Sequence, residues 1–313
     1  MTSSGSDFSV VEVYDPANNT WSTVAPMPTP RHGFGVGVVS GVLYTIGGYS
    51  FNTCNCLVGT VEAYDPISNT WSTKASMPTV RQDLVVAAIN DGLYAVGGGN
   101  GGYLSTVEAY DPASDSWSTK SSMPTPRLGP AAGVVDGILY VVGGGTPSGS
   151  ITTNEAYNPV SDTWSTKASM PTARYFTGAM GGGTVTVNEI LYVIGGITSG
   201  HNTTSASEAY DATSDSWTQI APMPTSRAPG IGIVNGVLYA VGGYDYVAGT
   251  ALATNEAFTP MPSGVAVLNG GNAFTGNQTV SGSVSATSFV GSGASLTGVD
   301  AATLGGVAPS SPW

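Results

Sequence analysis

The segment Val61-Glu-Ala-Tyr-Asp-Pro-Ile-Ser-Asn-Thr-Trp71 decides the fold, because close variants of it return at regular intervals along the chain. Its tryptophan is repeated with spacings of 46 to 53 residues, at Trp21, Trp71, Trp117, Trp164 and Trp217. Its glutamate recurs two positions before an aromatic residue, at Glu12, Glu62, Glu108, Glu155, Glu208 and Glu256. Self-similarity at a period of this length indicates stacked copies of one supersecondary unit.

Each repeat also carries an arginine and a pair of glycines. The arginine ends a Met-Pro-Thr-x-Arg motif, and every arginine of the protein lies in this register: Arg31, Arg81, Arg127, Arg174 and Arg227. An apolar run such as residues 84–89 follows it and predicts an inner strand, which we name strand a. A turn at Asp136-Gly137 or Asn235-Gly236 then leads into Leu-Tyr-x-Val/Ile-Gly-Gly, which predicts strand b.

The quoted segment supplies the other two strands of the unit. Val-Glu-Ala-Tyr predicts strand c, Asp-Pro with its polar cluster predicts a turn, and tryptophan opens strand d. Because a four-stranded sheet cannot bury both of its faces alone, sheets of this kind stack radially around an axis. The sequence therefore predicts an all-β propeller.

The double glycine, the tyrosine two residues after glutamate and the tryptophan after the Asp-Pro turn resemble the kelch repeat over residues 8–262. The resemblance implies a kelch-type β-propeller domain, residues 1–262, with five to six four-stranded blades in a complete or incomplete ring. Five a–b pairs stand against six Glu-x-Tyr/Phe strands. Two interpretations follow. In the first, the ring has five blades, and residues 8–27 complete the last one, a place for which residues 255–258 compete. In the second, the ring has six blades, and one of them has lost its a–b pair.

Residues 263–313 form a second segment, rich in Gly, Ser, Thr, Ala and Val and almost free of charge. Residues 289–306 are similar to segments of phage tail fibres and bacterial surface proteins that precede trimeric stalks. That similarity implies a β-stalk that mediates homo-oligomerisation. A flexible low-complexity extension fits the same composition.

Composition limits the possible partners. Eight Lys and Arg against 20 Asp and Glu give a formal charge of −12, which repels phosphate backbones and argues against nucleic acid. The chain has no apolar run long enough for membrane insertion and no signal peptide in the sequence as given. Sparse charge with abundant Thr and Ser favours an extracellular or cell-surface location in a bacterium.

The repeated charged and aromatic residues have a structural and a catalytic interpretation. Because equivalent groups recur in every repeat, we expect them to serve each blade: glutamate accepting from the Gly-Gly N–H groups and pairing with arginine, tryptophan packing between blades. The alternative is a ring of catalytic acids and bases. The residues assigned to structure are the five arginines with Glu62, Glu108, Glu155, Glu208, Trp71, Trp117, Trp164 and Trp217.

Enzyme signatures are sparse, and we expect no catalytic residue, metal or cofactor. The sequence has no Gly-x-Ser-x-Gly, no Gly-Lys-Ser/Thr loop and no His-Glu-x-x-His. Galactose oxidase shares the kelch-type propeller and holds copper with two histidines, two tyrosines and a cysteine linked to tyrosine. His32 and His201, with Cys54 or Cys56, could offer a related set, so a copper oxidase or a sugar isomerase stays the alternative function. The two cysteines are either free thiols or a local disulfide.

The loops that vary between repeats predict the binding surface. In an antiparallel propeller the b–c and d–a connections emerge on one face, and variable loops on a rigid scaffold carry recognition. Aromatic and amide groups there suit a protein or glycan ligand. The sequence predicts a non-enzymatic binding module that uses Tyr49, Phe51, Tyr103, His201, Asn202, Tyr244, Asp245 and Tyr246 of the b–c loops, with His32 and Tyr175.

Overall fold

The computed structural model describes residues 7–176, 184–187 and 189–260. Over these residues the regular structure is entirely β-strand, and no helix long enough to cross a lipid bilayer is found among them. The predicted stalk or extension at residues 263–313 lies outside the described residues.

Four antiparallel sheets have the four strands a to d in the order that the repeat predicts. The strands are Gly35–Val39, Val42–Ile46, Val61–Asp65 and Thr70–Lys74 in blade 1; Val85–Ile89, Gly92–Val96, Val107–Asp111 and Ser116–Lys120 in blade 2; Ala131–Val135, Ile138–Val142, Asn154–Asn158 and Thr163–Lys167 in blade 3; Thr184–Val187, Ile190–Ile194, Ser207–Asp211 and Ser216–Gln219 in blade 4.

Blade 5 differs at its outer edge. Its strands a, b and c are Ala228–Val234, Val237–Asp245 and Asn255–Phe258. Its fourth strand, Thr250–Ala251, pairs with the far end of strand b and does not occupy position d. The remaining strands are the N-terminal hairpin, Val11–Asp15 with Thr20–Val24, and three loop hairpins: Tyr49–Ser50 with Cys56–Leu57, Gly145–Thr146 with Gly149–Ser150, and Ile197–Thr198 with Asn202–Thr203.

The turn chemistry follows the sequence. Asp136 and Gly137 have φ angles of 49° and 73°, and Asn235 and Gly236 have 52° and 76°, as a two-residue hairpin requires. In the c–d turn of blade 1, Asp65 accepts hydrogen bonds from the Ile67 N–H and the Ser68 hydroxyl at 2.8 Å each. Local polar contacts of this kind fix the register of each outer hairpin.

The core lies between neighbouring blades. Leu93 and Val86 of blade 2 face Gly37 and Gly35 of blade 1, where any side chain at the glycine would clash with them. Farther out, the strand b tyrosine of each blade packs against the strand c aromatic of the next, with ring centroids 5.4 to 6.2 Å apart in the pairs Tyr44–Tyr110, Tyr94–Tyr157, Tyr140–Tyr210 and Tyr192–Phe258. The prediction of an all-β propeller with four-stranded blades is confirmed.

A repeated clamp joins the outer parts of adjacent blades. Trp117 Nε1 donates to the Ala75 carbonyl at 2.9 Å, and Asp115 Oδ1 accepts from the Ala75 N–H at 2.8 Å. Asp115 also accepts from the Tyr110 hydroxyl at 2.6 Å. The same tryptophan contact recurs from Trp71 to Ala25, Trp164 to Ser121 and Trp217 to Ala168.

These contacts place the N-terminal hairpin between blade 5 and blade 1. Tyr14 packs edge-on against Tyr239 of blade 5 at 5.7 Å, and the strand c aromatics of blades 2 to 5 likewise pack against the strand b tyrosine of the preceding blade. On the other side, Trp71 of blade 1 donates to the Ala25 carbonyl at 2.8 Å. The hairpin therefore supplies strands c and d at a sixth position, next to five four-stranded sheets. Residues 255–258 form strand c of blade 5, so the hairpin does not complete that blade.

A buried ion pair crosses the sheet of every blade. The pairs are Arg31–Glu62, Arg81–Glu108, Arg127–Glu155, Arg174–Glu208 and Arg227–Glu256. In blade 2, Glu108 also accepts from the Thr79 hydroxyl at 2.8 Å, and Arg81 donates to the Ala95 carbonyl at 3.0 Å. The Gly-Gly N–H groups bind backbone carbonyls instead of glutamate, as Gly97 does with Thr106, so that part of the prediction was wrong.

Replacing Trp117 by Phe removes its hydrogen bond to Ala75 and should lower the free energy of unfolding by about 1 to 2 kcal/mol. Trp21→Phe is the matched control, because Trp21 is 47% exposed and its Nε1 has no acceptor among the described residues. We expect the control to change stability by less than about 0.5 kcal/mol. If urea denaturation gave the same loss of unfolding free energy for Trp117→Phe and Trp21→Phe, the hydrogen bond to Ala75 would not stabilise the contact between blades.

Replacing Glu108 by Gln leaves the Arg81 guanidinium buried without an opposite charge. Burial already lowers the pKa of Arg81 while Glu108 raises it, so the variant should lose about 3 to 5 kcal/mol. Glu12→Gln is the control, because exposed Glu12 has no arginine partner in the described part of the chain. Thermal unfolding of both variants measures the difference, and a stable Glu108→Gln protein would overturn this account.

Candidate functional site

A line of backbone hydrogen bonds runs across four blades at the start of their a strands. Gly33, Asp83, Gly129 and Phe176 each stand two residues after the repeat arginine and have φ between 47° and 64°. The Asp83 N–H donates to the Gly33 carbonyl, Gly129 to Asp83 and Phe176 to Gly129, at 2.7 to 2.8 Å. We name these four residues the collar. Its register ends at Pro229 in blade 5, which has no N–H to donate.

The b–c loops are joined to the d–a segments beside the collar. Short antiparallel bridges pair His32 with Tyr49, Gln82 with Gly99, Leu128 with Gly145 and Tyr175 with Ile197. Both loop sets thus emerge on one side of the sheets, which we name the collar face. The backbone bridges fix the directions of the loops that carry the predicted binding residues.

An aromatic cluster forms on blade 1 of the collar face. The His32 ring stacks on Phe51 at 5.2 Å, and Tyr49 packs edge-on against Phe51 at 4.9 Å. His32 Nδ1 lies 2.7 Å from Asp7 Oδ1, and the other Asp7 oxygen accepts from the Phe51 N–H at 2.7 Å. Asp7 therefore holds the histidine and its loop in place.

A cavity of about 360 Å³ lies between the loops of blades 1 and 2. Its lining includes Tyr49, Gln82, Asp83, Tyr103 and Leu128. Burial raises the pKa of Asp83 to about 6, against smaller opposing effects of a Gln82 hydrogen bond and nearby His32. Asp83 is ionised at neutral pH and puts a negative charge at the cavity wall.

Tyrosines from blades 4 and 5 approach the same region. Burial raises the pKa of Tyr246, and the charges of Tyr175 and Asp83 raise it further, so these groups lie within electrostatic range. Burial also raises the pKa of Tyr175, and nearby Tyr103 raises it further. The Tyr175 ring packs against Phe176 with ring centroids 4.9 Å apart. Tyr244 packs edge-on against Tyr246 at 4.7 Å.

The structure divides the predicted binding residues into two groups. Those gathered near the cavity or the adjoining cluster are His32, Tyr49, Phe51, Tyr103, Tyr175, Tyr244 and Tyr246. His201 and Asn202 lie at the exposed turn of a blade 4 loop hairpin, outside the cavity lining. Asp245 accepts from the Val247 N–H and the Thr203 hydroxyl, both at 2.9 Å, and these bonds lower its pKa. Its carboxylate is already used to shape its own turn.

The sequence places Asp83 on the predicted loop face, just after Arg81, but not among the selected binding residues. The signal in the sequence was its register: it stands two residues after Arg81, where blades 1 and 3 have glycine in a left-handed conformation. A carboxylate at such a position is directed by the backbone toward the neighbouring blade, and a side chain at Gly33 would clash with it.

The residues suggested for copper do not fit that set. Cys54 and Cys56 form a disulfide with each other, the second of the two predicted alternatives, so neither thiol is available for linkage to tyrosine. His32 and His201 belong to blades 1 and 4. In the described ranges no three His, Cys, Asp or Glu side chains form a metal-binding group.

The exposed charge is mainly negative. All five arginines are buried in ion pairs. Tyrosine hydrogen bonds lower the pKa of Asp115, Asp162 and Asp215 in the c–d turns, and Lys74, Lys120 and Lys167 lower it further, so the three lysines lie beside those turns. The collar face therefore combines aromatic rings with acidic side chains and suits a neutral or basic ligand.

Two family models match the chain. The KLHDC2/KLHL20/DRC7 Kelch-repeats domain matches residues 1–144. The Kelch motif matches residues 126–171 and 180–224. Together the two models span blades 1 to 4 and the N-terminal hairpin.

Curated relatives share short kelch segments with this chain. Kelch-like protein 23 of Pongo abelii is 37% identical over 78 residues, 25% of this chain and 13% of the relative. A putative F-box/kelch-repeat protein of Arabidopsis thaliana is 50% identical over 40 residues, 13% of this chain and 12% of the relative. Kelch-like ECH-associated protein 1A of Danio rerio is 42% identical over 52 residues, 17% of this chain and 8% of the relative. The matches therefore span about an eighth or less of each relative.

Replacing Asp83 by Asn should stabilise the protein at pH 7. The folded pKa of Asp83 is raised from 3.8 to about 6, so its contribution to stability falls as pH rises from about 4 to about 6. We expect a gain of about 1 to 2 kcal/mol, since the side chain keeps some contact with water. Urea denaturation between pH 4 and 7 should show a pH-dependent difference between the two proteins; a constant difference would refute the buried carboxylate.

Proposed function

This chain belongs to the kelch-repeat β-propeller family, and we propose that it is a non-enzymatic module that binds a protein partner through the collar face. The observation that carries the proposal is the convergence of Tyr103, Tyr175 and Tyr246 with the Asp83 carboxylate on one side of the sheets. Kelch propellers are typically protein-interaction modules. The named relatives carry kelch segments similar to those of this chain.

The chemistry of the face favours a basic or neutral extended segment as ligand. Tyr103 and Tyr246 are 38% and 37% exposed, and rings of this kind offer large contact area at low entropic cost. Asp83 at the cavity wall selects for a Lys or Arg side chain, because an ionised carboxylate beside apolar surface binds cations strongly. The ligand is held between aromatic rings and carries one positive charge toward Asp83.

We further propose that the module acts outside a bacterial cell, as part of a surface or fibre-like protein. The Cys54–Cys56 disulfide supports an oxidising environment, where such bonds persist. A glycan is the competing ligand class, since exposed tyrosines also stack on sugar rings. A glycan array with the full chain distinguishes the two ligand classes.

Selection of random peptides displayed on phage against the full chain should enrich sequences with Lys or Arg beside apolar residues. For an enriched peptide, Tyr103→Ala and Tyr246→Ala should each weaken binding about tenfold in isothermal titration calorimetry. Asp83→Asn should weaken it by a similar factor, and the wild type should lose affinity below about pH 6, where Asp83 takes up a proton.

The matched controls are Ile67→Ala and Val160→Ala, exposed apolar residues in c–d turns on the opposite face. They should leave the affinity unchanged. Peptides that bind the two tyrosine variants as tightly as the wild type would remove the collar face as the binding surface.

A further inference from the structure

The sixth position of the ring holds strands c and d of the N-terminal hairpin, and the described residues supply no strands a and b beside them. We name the resulting space the slot. It is bounded by Val11–Asp15 of the hairpin, by blade 1 and by blade 5. Part of it is a cavity of about 400 Å³ lined by Val11, Glu12, Val36 and Leu43.

The blade 1 wall of the slot is apolar, and within the described residues no inner strands of a neighbouring blade lie beside it. In blade 2 the matching positions, Val86 and Leu93, are buried against blade 1. Their blade 1 counterparts, Val36 and Leu43, are only partly buried, and nearby Val38 is 53% exposed. Blade 1 thus presents to the slot the kind of surface that the other blades cover.

The inner strand of blade 5, on the other side of the slot, also has little packed against it among the described residues. A side chain at Gly37 or Gly133 would meet a leucine of the following blade, whereas one at Gly232 would have no neighbour within 4 Å. Val234 is 38% exposed, and its counterpart Val39 is 7% exposed. Both walls are therefore open at the level of the inner strands.

Among the residues that the structure describes, the hairpin that closes the slot has an unpaired strand edge and a carboxylate without a partner. In blades 1 to 4, strand c pairs with strand b on one edge and strand d on the other. Val11–Asp15 pairs only with Thr20–Val24 among the described strands. Each other strand c glutamate in the described part of the chain binds a repeat arginine, and Glu12 has none.

We propose that the slot is a second interaction site, which takes up a β-hairpin from a partner that carries arginine ahead of an apolar strand. The arginine pairs with Glu12, and the second strand of the hairpin adds to the edge of Val11–Asp15. Its leucine faces Gly232 of blade 5, and the side chains that match Val85, Ala87 and Ile89 of blade 2 cover the blade 1 wall at Val36, Val38 and Leu43. Charge fixes the orientation of the hairpin, while the apolar walls supply the area. The proposal does not rest on ligand binding at the collar face, although His32 and Asp7 of the collar-face cluster border the same cavity.

The known pairing in blade 2 predicts the register of the bound strand. There, Leu93 lies opposite Tyr110 and Val96 opposite Val107. A peptide of residues 76–99, which contains Arg81 and strands a and b of that blade, should therefore place Leu93 opposite Tyr14 and Val96 opposite Val11. This peptide serves as the probe of the slot.

The experiment titrates fluorescein-labelled peptide 76–99 with the full chain and measures anisotropy. We expect saturable binding and slower hydrogen exchange of the Val11–Asp15 amides when the peptide is present. Glu12→Gln in the protein should weaken binding about tenfold or more. Arg81→Gln in the peptide should weaken it equally, and the two changes together should cost little more than either alone.

Val38→Asp places a charge on the exposed blade 1 wall and should abolish binding, while Ile67→Asp, at a side chain that is 96% exposed, is its control. Absence of saturable binding to the wild-type protein would overturn the proposal. So would Glu12→Gln and Val38→Asp proteins that bind the peptide as tightly as the wild type does. Occupation of the slot by residues 263–313 of the same chain, or by a second copy, would appear as absence of peptide binding and would also overturn it. Circular dichroism of each variant checks that the fold is kept.

Discussion

The buried arginine–glutamate pair is the interaction on which each blade depends. Moving two charges out of water is costly, so the pair is stable only when further polar groups surround it. The repeat supplies them: a threonine hydroxyl binds the second carboxylate oxygen, and backbone carbonyls of strand b accept from the guanidinium. Because the arginine precedes strand a and the glutamate lies on strand c, one interaction fixes the segment that enters the blade against its third strand. The position of the collar face follows from it.

The repeat made most of this fold predictable. Tryptophan, Asp-Pro and the Asp-Gly or Asn-Gly turns have local meanings that tertiary context did not change, so the strands of blades 1 to 4 lie where the pattern places them. The partner of the glutamate was only partly predictable. Spacing shows that a group recurs, and it does not show which of two neighbouring donors, Gly-Gly N–H groups or arginine with threonine, reaches the carboxylate.

The candidate site was less accessible to sequence reasoning. Loop tyrosines were recognised because variable aromatic residues on a repeated scaffold stand out. Asp245 was predicted to bind ligand, but its carboxylate accepts hydrogen bonds within its own turn. Asp83 was not selected as a binding residue, but it lies half-buried at the cavity wall with a raised pKa. The difference arises from the three-dimensional surroundings of two similar side chains, which one-dimensional spacing does not contain.

Pro229 has a mechanical consequence for the ring. The collar links blades 1 to 4 through successive backbone bonds, and proline at the next position ends the series. A closed hoop of such bonds has a fixed circumference, because widening it breaks a bond. An arc with two free ends can spread at the gap while each of its links stays intact. The collar bonds therefore fix the spacing of blades 1 to 4 and leave the spacing between blades 4 and 5 to other contacts.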